Sequence, residues 1–500
     1  MGTLFLYLLL FLVLHTMTKH FLNKIRNHPP TPFPSLPIVG HLYLLKGPVH
    51  RALTKISQRY GPIVFLQFGS LRVLLVSSPK IAEECLSKND IVFANRPRLL
   101  HAKYVSDNFK SLVWASYGDH WRNLRKIASL EILSTHRVQM LSTIRQEETK
   151  SFILYLSRNQ NQTLNMRTPF HELTLNVMMR MIAGKRYYGE SVTDVEEARR
   201  FQEINGELLR LSFESSLIKD LFPWLGSKEI EKKLTECKRK REDWIQSLIE
   251  EHRQIRKGAF SGERKRNLIQ VLLSLQETDP DYYQDELIRN LMLVLLTAGT
   301  STSIMTMEWT LSLLLNNPEV MKKAQIEIDK CVGHERLIDE TDVDRLPYLR
   351  SIIKEAMRMH PAVPLLIPHE SSKECVVGGF RIPRGTILLV NAWGIQNDPN
   401  IWENPTTFRP KRFQETEEVK EALRFLPFGY GRRSCPGEGL ALRMMGLALG
   451  SLIQCFQWKG IGDKTVDMTE SSGIIAVPKV EPLQAFCQCR PEMLNLLSTL

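Results

Sequence analysis

The stretch Phe428-Gly-Tyr-Gly-Arg-Arg-Ser-Cys-Pro-Gly437 constrains this chain more than any other. It sets one cysteine, Cys435, in a loop rich in glycine and arginine, just before a segment of helical periodicity. Adjacent cations and the backbone N–H groups of a helix start favour a thiolate in such a place. Gly431 and Gly437 let the backbone approach a flat ligand closely. Phe428 can shield the sulfur from water, and two arginines, Arg433 among them, can hold carboxylates bidentately. A phosphate-binding loop is the rival reading, but no Gly-Lys-Ser/Thr is present and no G-x-G-x-x-G follows a strand. By spacing alone, a lone cysteine beside glycines is more often structural than a metal ligand.

The chain has eight cysteines, with no C-x-x-C pair and no zinc-ligand spacing. That sparse pattern suits a reducing compartment, so most of them are expected to be buried small hydrophobes. Hydrophobic residues at 43% and charged residues at 24% exclude a disordered, collagen-like or coiled-coil chain. A length of 500 residues allows about three domains or one large fold. The net charge of +12 favours acidic partners, whether anionic lipid, nucleic acid or protein, and does not choose among them.

Gly2 to Met17 contains no Asp, Glu, Lys or Arg. A helix over it reaches ~24 Å, and continuing to Leu22, with Lys19 snorkelling, brings it close to the ~30 Å hydrocarbon core. A cleaved signal peptide needs a positive region before the apolar run and a small-residue cleavage site after it. Neither is present. Lys19, Lys24 and Arg26 follow the run instead, which keeps the downstream chain cytosolic. Residues 1–22 are therefore expected to form an anchor. Residues 23–40 form a basic, proline-rich hinge whose five prolines between His28 and Pro37 make a stiff spacer. Residues 41–500 form the cytosolic body.

Gly61 to Val76 reads as two strands broken at Gly69-Ser70. Helical periodicity then dominates, near 79–88, 119–130, 136–157, 170–184, 228–256, 283–317, 318–331, 347–359 and 437–455. Strand signals return near 374–390 and 473–488. The fold class is mainly α with a minor β region. Charge runs such as 238–241 and 264–266 read as solvated faces or loops, and nuclear import conflicts with the anchor.

Two further features are weak alone. Glu355 and Arg358 form an i,i+3 pair on one helix face, and Arg412 lies in Pro410-Lys-Arg-Phe413. Together with the Cys435 loop, in this order, they resemble the cytochrome P450 superfamily over essentially the whole chain. Phe428–Gly437 matches the haem-thiolate signature F-x-x-G-x-R-x-C-x-G. Glu355 and Arg358 match its E-x-x-R pair, and Arg412 matches the arginine of its P-x-R-F element. Trp121 and Arg125 match a W-x-x-x-R element, and Ala298-Gly-Thr-Ser-Thr-Ser303 falls where the oxygen-activating motif lies. The wording is similar to that of plant microsomal A-type enzymes, in particular the isoflavone hydroxylase-like family.

The resemblance implies the P450 fold, a triangular haem-thiolate prism behind an N-terminal transmembrane anchor. It implies haem b, with Cys435 as the metal ligand and Phe428, Gly431 and Gly437 around it. Trp121, Arg125, His369 and Arg433 become propionate partners, and Glu355, Arg358 and Arg412 a buried ionic cluster. Thr302 is the best candidate for proton delivery to bound dioxygen, with Ala298 and Gly299 leaving a groove; the competing reading is a helix threonine bonded to its own i−4 carbonyl. The family usually has an acid at the position of Ser301. Its absence points to leakier coupling or to atypical chemistry.

No nicotinamide or flavin motif is visible, so the resemblance assigns electron supply to an NADPH–cytochrome P450 reductase. Arg122, Lys126, Arg424, Arg432 and Arg443 would form the docking face. Phe109, Val294, Val363, Leu366 and Ile474 would line the substrate cavity and suit a lipophilic molecule: a flavonoid or isoflavonoid, another phenolic, a terpenoid or an alkaloid. Three readings follow. The first is a single-pass endoplasmic-reticulum monooxygenase of plant specialised metabolism, with no nucleic-acid role. The second is a haem-thiolate isomerase, dehydratase or oxidative ring-forming enzyme, favoured only by Ser301. The third is a haem-binding sensor, disfavoured by the complete proton-delivery and cavity elements.

Overall fold

A long apolar helix organises the body. Asp285–Leu315 has Asp285 and Glu286 in its first turn, where acids favour a helix N-terminus. Most of its side chains are buried, and it packs against the helices Arg167–Ala183, Pro347–Met359 and Glu438–Cys455. The computed structural model describes residues 2–189, 195–222, 224–225, 228–258, 267–415, 423–462, 464–473 and 475–500. The charge run at 264–266 and the expected cavity residue Ile474 lie outside them.

The helix Glu438–Cys455 begins directly after the Cys435 loop, with Gly437 as its N-cap. Gly446 and Gly450 let the 338–346 segment approach it: a Cβ on Gly446 would stand 2.6 Å from Val343 Cγ1, and one on Gly450 2.7 Å from Ile338 Cδ1. This close packing ties the helix behind the loop to the large hydrophobic core.

The strands are β1 (Ile63–Phe68), β2 (Leu71–Val76), β3 (Thr163–Asn165), β4 (His369–Glu370), β5 (Cys375–Val377), β6 (Phe380–Ile382), β7 (Ile387–Val390), β8 (Phe456–Lys459) and β9 (Gln484–Cys489). β1 and β2 form an antiparallel pair around Gly69-Ser70, as their alternation predicts. β7 adds in parallel to β2, pairing Val73 with Ile387, and β4 pairs antiparallel with β7. That register, across three hundred residues of sequence, carries His369 to its place opposite Leu388. β3, β9 and β8 make a second sheet, and β5 and β6 a hairpin.

Several helices depart from the sequence reading. The segment at 79–88 turns into a wider π turn at Glu84–Lys88, and that at 119–130 does so at Ala128–Ile132. The helix expected over 136–157 is divided at Leu141. Helices Val49–Tyr60 and Leu268–Thr278 were not anticipated; the second has a complete Asn267/Gln270 capping box.

The N-terminal helix Gly2–Ile25 has 24 residues, or ~36 Å, and its large side chains Leu4, Phe5, Leu6, Tyr7, Leu10, Phe11 and Leu14 are exposed. It is long and apolar enough to cross a membrane; so is Asp285–Leu315, but that helix is core. The proline-rich stretch is fastened to the body rather than free. Phe65 N–H donates to the Pro30 carbonyl (2.9 Å), and buried His41 joins the Pro32 carbonyl to Gln67 N–H at 2.9 Å on each side.

Candidate active site

The cavity beside the long helix has a volume of about 290 Å³. Its floor is the loop 427–437. Cys435 N–H donates to the Phe428 carbonyl (2.8 Å) and Ser434 N–H to the Gly431 carbonyl (3.0 Å), so the loop folds back on itself. Phe428, Cys435 and Gly437 line the cavity. The sulfur is open to the cavity yet deep within the protein. Burial raises its pKa and outweighs the opposing backbone N–H groups of Gly437 and Glu438 and the guanidinium of Arg125. The cation and N–H groups act in the direction that the sequence suggests, and burial opposes them more strongly. A metal cation held by Cys435 would supply the missing stabilisation of the thiolate, because a coordinating thiol deprotonates.

Gly431 serves another purpose than the one expected. It does not line the cavity. Its φ is +72°, and a Cβ would lie 2.3 Å from the Leu86 carbonyl oxygen, so the loop is seated on the end of the 84–88 turn.

One wall is cationic. Its guanidiniums, Arg96, Arg125 and Arg433, face the cavity beside the imidazole of His369, and no Asp or Glu among the described residues lines it. The guanidiniums are held by carbonyls: Arg433 by Ala94 and Ala115, Arg96 by Ile367 (2.7 Å) and Pro368 (2.8 Å), Arg125 by Ser434 (2.6 Å). Arg433 also lies 4.3 Å over the ring of Trp121, whose Nε1–H donates to the Leu112 carbonyl (3.1 Å). His369 Nδ1 meets the Phe93 carbonyl at 2.8 Å. Burial pulls Arg433 down to about 9 and Arg96 well below the ordinary arginine range. It does the same to His369, which also feels Arg96. Buried cations without a counter-charge are costly. The wall therefore fits a ligand that carries acidic groups on an apolar body.

The opposite wall is the long helix. Val294, Ala298, Gly299 and Thr302 line the cavity. Thr302 Oγ1 donates to the Ala298 carbonyl (2.8 Å), the local bond weighed against a relay role. Ser301 is exposed and outside the lining. A Cβ on Gly299 would meet Met178 Cε at 2.7 Å, so glycine there also makes room for a neighbouring helix. Val363 and Leu366 complete the lining from the Ala362–Ile367 segment, with Leu366 at φ +54°. Phe109 is not in the lining; it sits under Arg98, whose guanidinium is 5.6 Å from its ring.

Glu355, Arg358 and Arg412 come together outside the cavity and are buried. Arg358 donates to both oxygens of Glu355 (2.7 and 3.0 Å), and Arg412 Nε donates to Oε1 (2.9 Å). Arg358 also holds the carbonyls of Gln396 and Pro405, which fixes the 396–412 segment against the helix.

Comparison with known proteins agrees with this arrangement. The family model of cytochrome P450 matches residues 29–484. Cytochrome P450 81Q32 of Catharanthus roseus is 46% identical, covering 93% of this chain and 92% of its own. The (+)-piperitol/(+)-sesamin synthase CYP81Q2 of Sesamum radiatum is also 46% identical, over 94% and 92%. An isoflavone 2'-hydroxylase of Glycyrrhiza echinata is 43% identical, over 97% and 96%. A zebra fish cytochrome P450 solved with progesterone superposes with a TM-score of 0.76 at 27% identity, covering 89% of this chain and 100% of that one. The chain belongs to the cytochrome P450 family and has its fold. It is an oxidoreductase of the monooxygenase class, whose cofactor is a haem held by a cysteine thiolate.

The cavity fits that cofactor by its donor set: a sulfur on the floor, an apolar helix face, and guanidiniums that meet carbonyls but no carboxylate among the described residues. Sequence reasoning missed Arg96 and Met178. Arg96 sits in an irregular segment between the short helix Val92–Ala94 and Pro97, where no periodicity marks it. Met178 reads as plain core on its own helix.

Proposed function

We propose that this chain is a membrane-anchored haem-thiolate monooxygenase that oxidises a lipophilic plant phenolic of the flavonoid or isoflavonoid type. The observation that carries the reading is one cavity that joins the Cys435 sulfur, a cationic wall with no carboxylate among its described residues, and an apolar face. Cys435 is the iron ligand. Arg96, Arg125, Arg433 and His369 hold the acidic edge of the cofactor, and Trp121 supports Arg433 from below. Glu355, Arg358 and Arg412 hold the segment behind it. When bound, the haem supplies reduction of dioxygen and attack on C–H bonds.

The chain's own residues position the substrate and exclude water. Val294, Ala298, Val363 and Leu366 present small or aliphatic groups to it, as a flat aromatic molecule requires. Thr302 turns its hydroxyl from the Ala298 carbonyl toward the cavity to hold a proton there. Ser301 carries no charge to assist, so water does that work and coupling is looser than with an acid. Ser301→Asp should lower peroxide release per NADPH; unchanged release would make the departure unimportant.

Residues 1–22 anchor the chain in the endoplasmic reticulum, 23–40 are the hinge, and the body from 41 onward is cytosolic. Electrons come from an NADPH–cytochrome P450 reductase. Of its expected docking residues, Arg122, Lys126 and Arg432 are exposed, with Arg122 paired to Asp119 and Arg432 to Asp90 (2.6 Å), while Arg424 and Arg443 are half-buried. The relatives named for isoflavone hydroxylation support the substrate class. The test is turnover in microsomes containing the chain and its reductase, with NADPH and a panel of isoflavones, flavones and lignans. Conversion without reductase would instead support an isomerase or dehydratase, the reading that Ser301 favours.

A further inference from the structure

Away from the cysteine loop, one carboxylate gathers an unusual set of partners. Glu470 has a side-chain exposure of 4%. Its Oε2 accepts from His50 Nε2 (3.1 Å) and Arg51 Nε (2.6 Å), and its Oε1 from His360 Nδ1 (3.1 Å). The three donors come from two distant elements, the helix Val49–Tyr60 and the end of Pro347–Met359. Glu470 itself lies on a narrow loop closed by Ser471 N–H to the Pro478 carbonyl (2.9 Å) and Val480 N–H to the Thr469 carbonyl (3.1 Å). His50 Nδ1 is buried and unpartnered, which fixes the proton on Nε2, facing the carboxylate.

Each histidine rests on a tryptophan that grips the cavity's surroundings. His360 stacks on Trp309 of the long helix, with centroids 4.1 Å apart and planes at 6°. Trp309 Nε1–H donates to the Val477 carbonyl (3.2 Å), and Val477 N–H to the Ala362 carbonyl (3.3 Å). His50 packs edge-on against Trp393 at 5.1 Å. Trp393 donates through Nε1 to the Met359 carbonyl (3.0 Å) and through its backbone N–H to the Pro364 carbonyl (3.0 Å). Ala362, Val363, Leu366 and Ile367 line the cavity. Both struts therefore end on the segment that forms its apolar wall.

The geometry points to Glu470 as a specificity-determining positioning residue, which sets the Ala362–Ile367 wall through His360–Trp309 and His50–Trp393 without touching the cavity. Removing its charge frees both struts at once, because one carboxylate satisfies three donors. The wall then shifts while the Cys435 loop, on another element, stays in place. The inference rests on the haem-thiolate reading but not on the substrate class.

The experiment uses the full-length, haem-loaded protein and two probes, imidazole and 4-phenylimidazole, titrated by the Soret shift each produces on binding iron. Imidazole reports the iron site alone; the phenyl ring reports the wall. In Glu470→Gln the preference for 4-phenylimidazole over imidazole should fall by about fivefold or more, with imidazole affinity within about twofold of wild type. Arg51→Ala, which removes the half-exposed arm to Glu470 and the guanidinium 4.6 Å over the Trp393 ring but leaves both histidines on the carboxylate, should lower it in the same direction by less. If Glu470→Gln keeps the sulfur-ligated ferrous carbonyl spectrum and both azoles change in parallel or not at all, the proposal is wrong. If Glu470→Gln fails to load haem, Arg51→Ala decides, and an unchanged preference overturns the proposal. A wild-type protein that shows no azole shift refutes the haem-thiolate reading instead.

Discussion

Glu355→Gln is the substitution whose cost the structure defines best. The carboxylate is fully buried and accepts four donors: Arg358 Nε (2.7 Å) and Nη2 (3.0 Å), Arg412 Nε (2.9 Å) and the Arg409 N–H (3.1 Å). Glutamine has the same shape but offers one oxygen and turns an NH₂ group toward a guanidinium. The buried Arg358 then faces no carboxylate among the described residues, and breaking a buried pair in this way costs about 3–5 kcal/mol. Arg358 retains the Gln396 (2.7 Å) and Pro405 (2.8 Å) carbonyls and Arg412 the Glu403 carbonyl (2.9 Å), which places the expected loss near the low end, about 3 kcal/mol. The assay is urea unfolding of the haem-loaded protein, followed by far-UV circular dichroism and by the Soret band. The Soret transition should move at least as far as the helical one, because the cluster fixes the 396–412 segment. A loss under about 1 kcal/mol would refute the idea that this cluster holds the segment by charge.

Gly431→Ala should cost more than about 2 kcal/mol and sharply reduce haem loading, because its Cβ would lie 2.3 Å from a backbone oxygen that cannot yield; near-normal loading would contradict this. Gly299→Ala meets only the end of a flexible side chain, so stability should change by less than about 1 kcal/mol while 4-phenylimidazole affinity drops, and Met178→Ala should restore it. Asp220 caps the helix Leu100–Val105 through Leu100 N–H (2.7 Å), and burial pushes its pKa up to about 6 from an ordinary 3.8. The folded state therefore binds this proton more tightly than the unfolded state, and its contribution to stability is lost as pH rises from about 4 to about 6. Asp220→Asn should flatten the pH dependence of the unfolding free energy across that range by less than about 2 kcal/mol, whereas an unchanged profile would show that the carboxyl does not titrate there.

The parts of the site that the sequence revealed are local. The cysteine loop, the Glu355/Arg358 pair on one helix face and the small residues Ala298 and Gly299 each show themselves within ten residues. What stayed hidden depends on long-range register or on irregular backbone. Arg96 is held by the carbonyls of Ile367 and Pro368, some 270 positions away, and no pattern near Asn95-Arg96-Pro97 announces it. The sheet that brings β3 to β9 joins residues 163–165 to 484–486, a pairing that alternation cannot foresee. The two π turns break the 3.6-residue period just where helices had been extrapolated to 88 and 130. Phe109 was expected to face the substrate, but it lies in a run of left-handed residues, Asp107 to Phe109, that turns it toward Arg98.

Sulfur ligation of a haem iron by residue 435 is the claim on which all else depends. The direct measurement is the absorption spectrum of the ferrous carbonyl complex of wild type and Cys435→Ala, each reconstituted with the same haem. The wild type should show the red-shifted Soret band of thiolate-ligated iron, and the variant should lose it while keeping its far-UV dichroism. A wild type without that band, or a Cys435→Ala protein that retains it, would contradict the account.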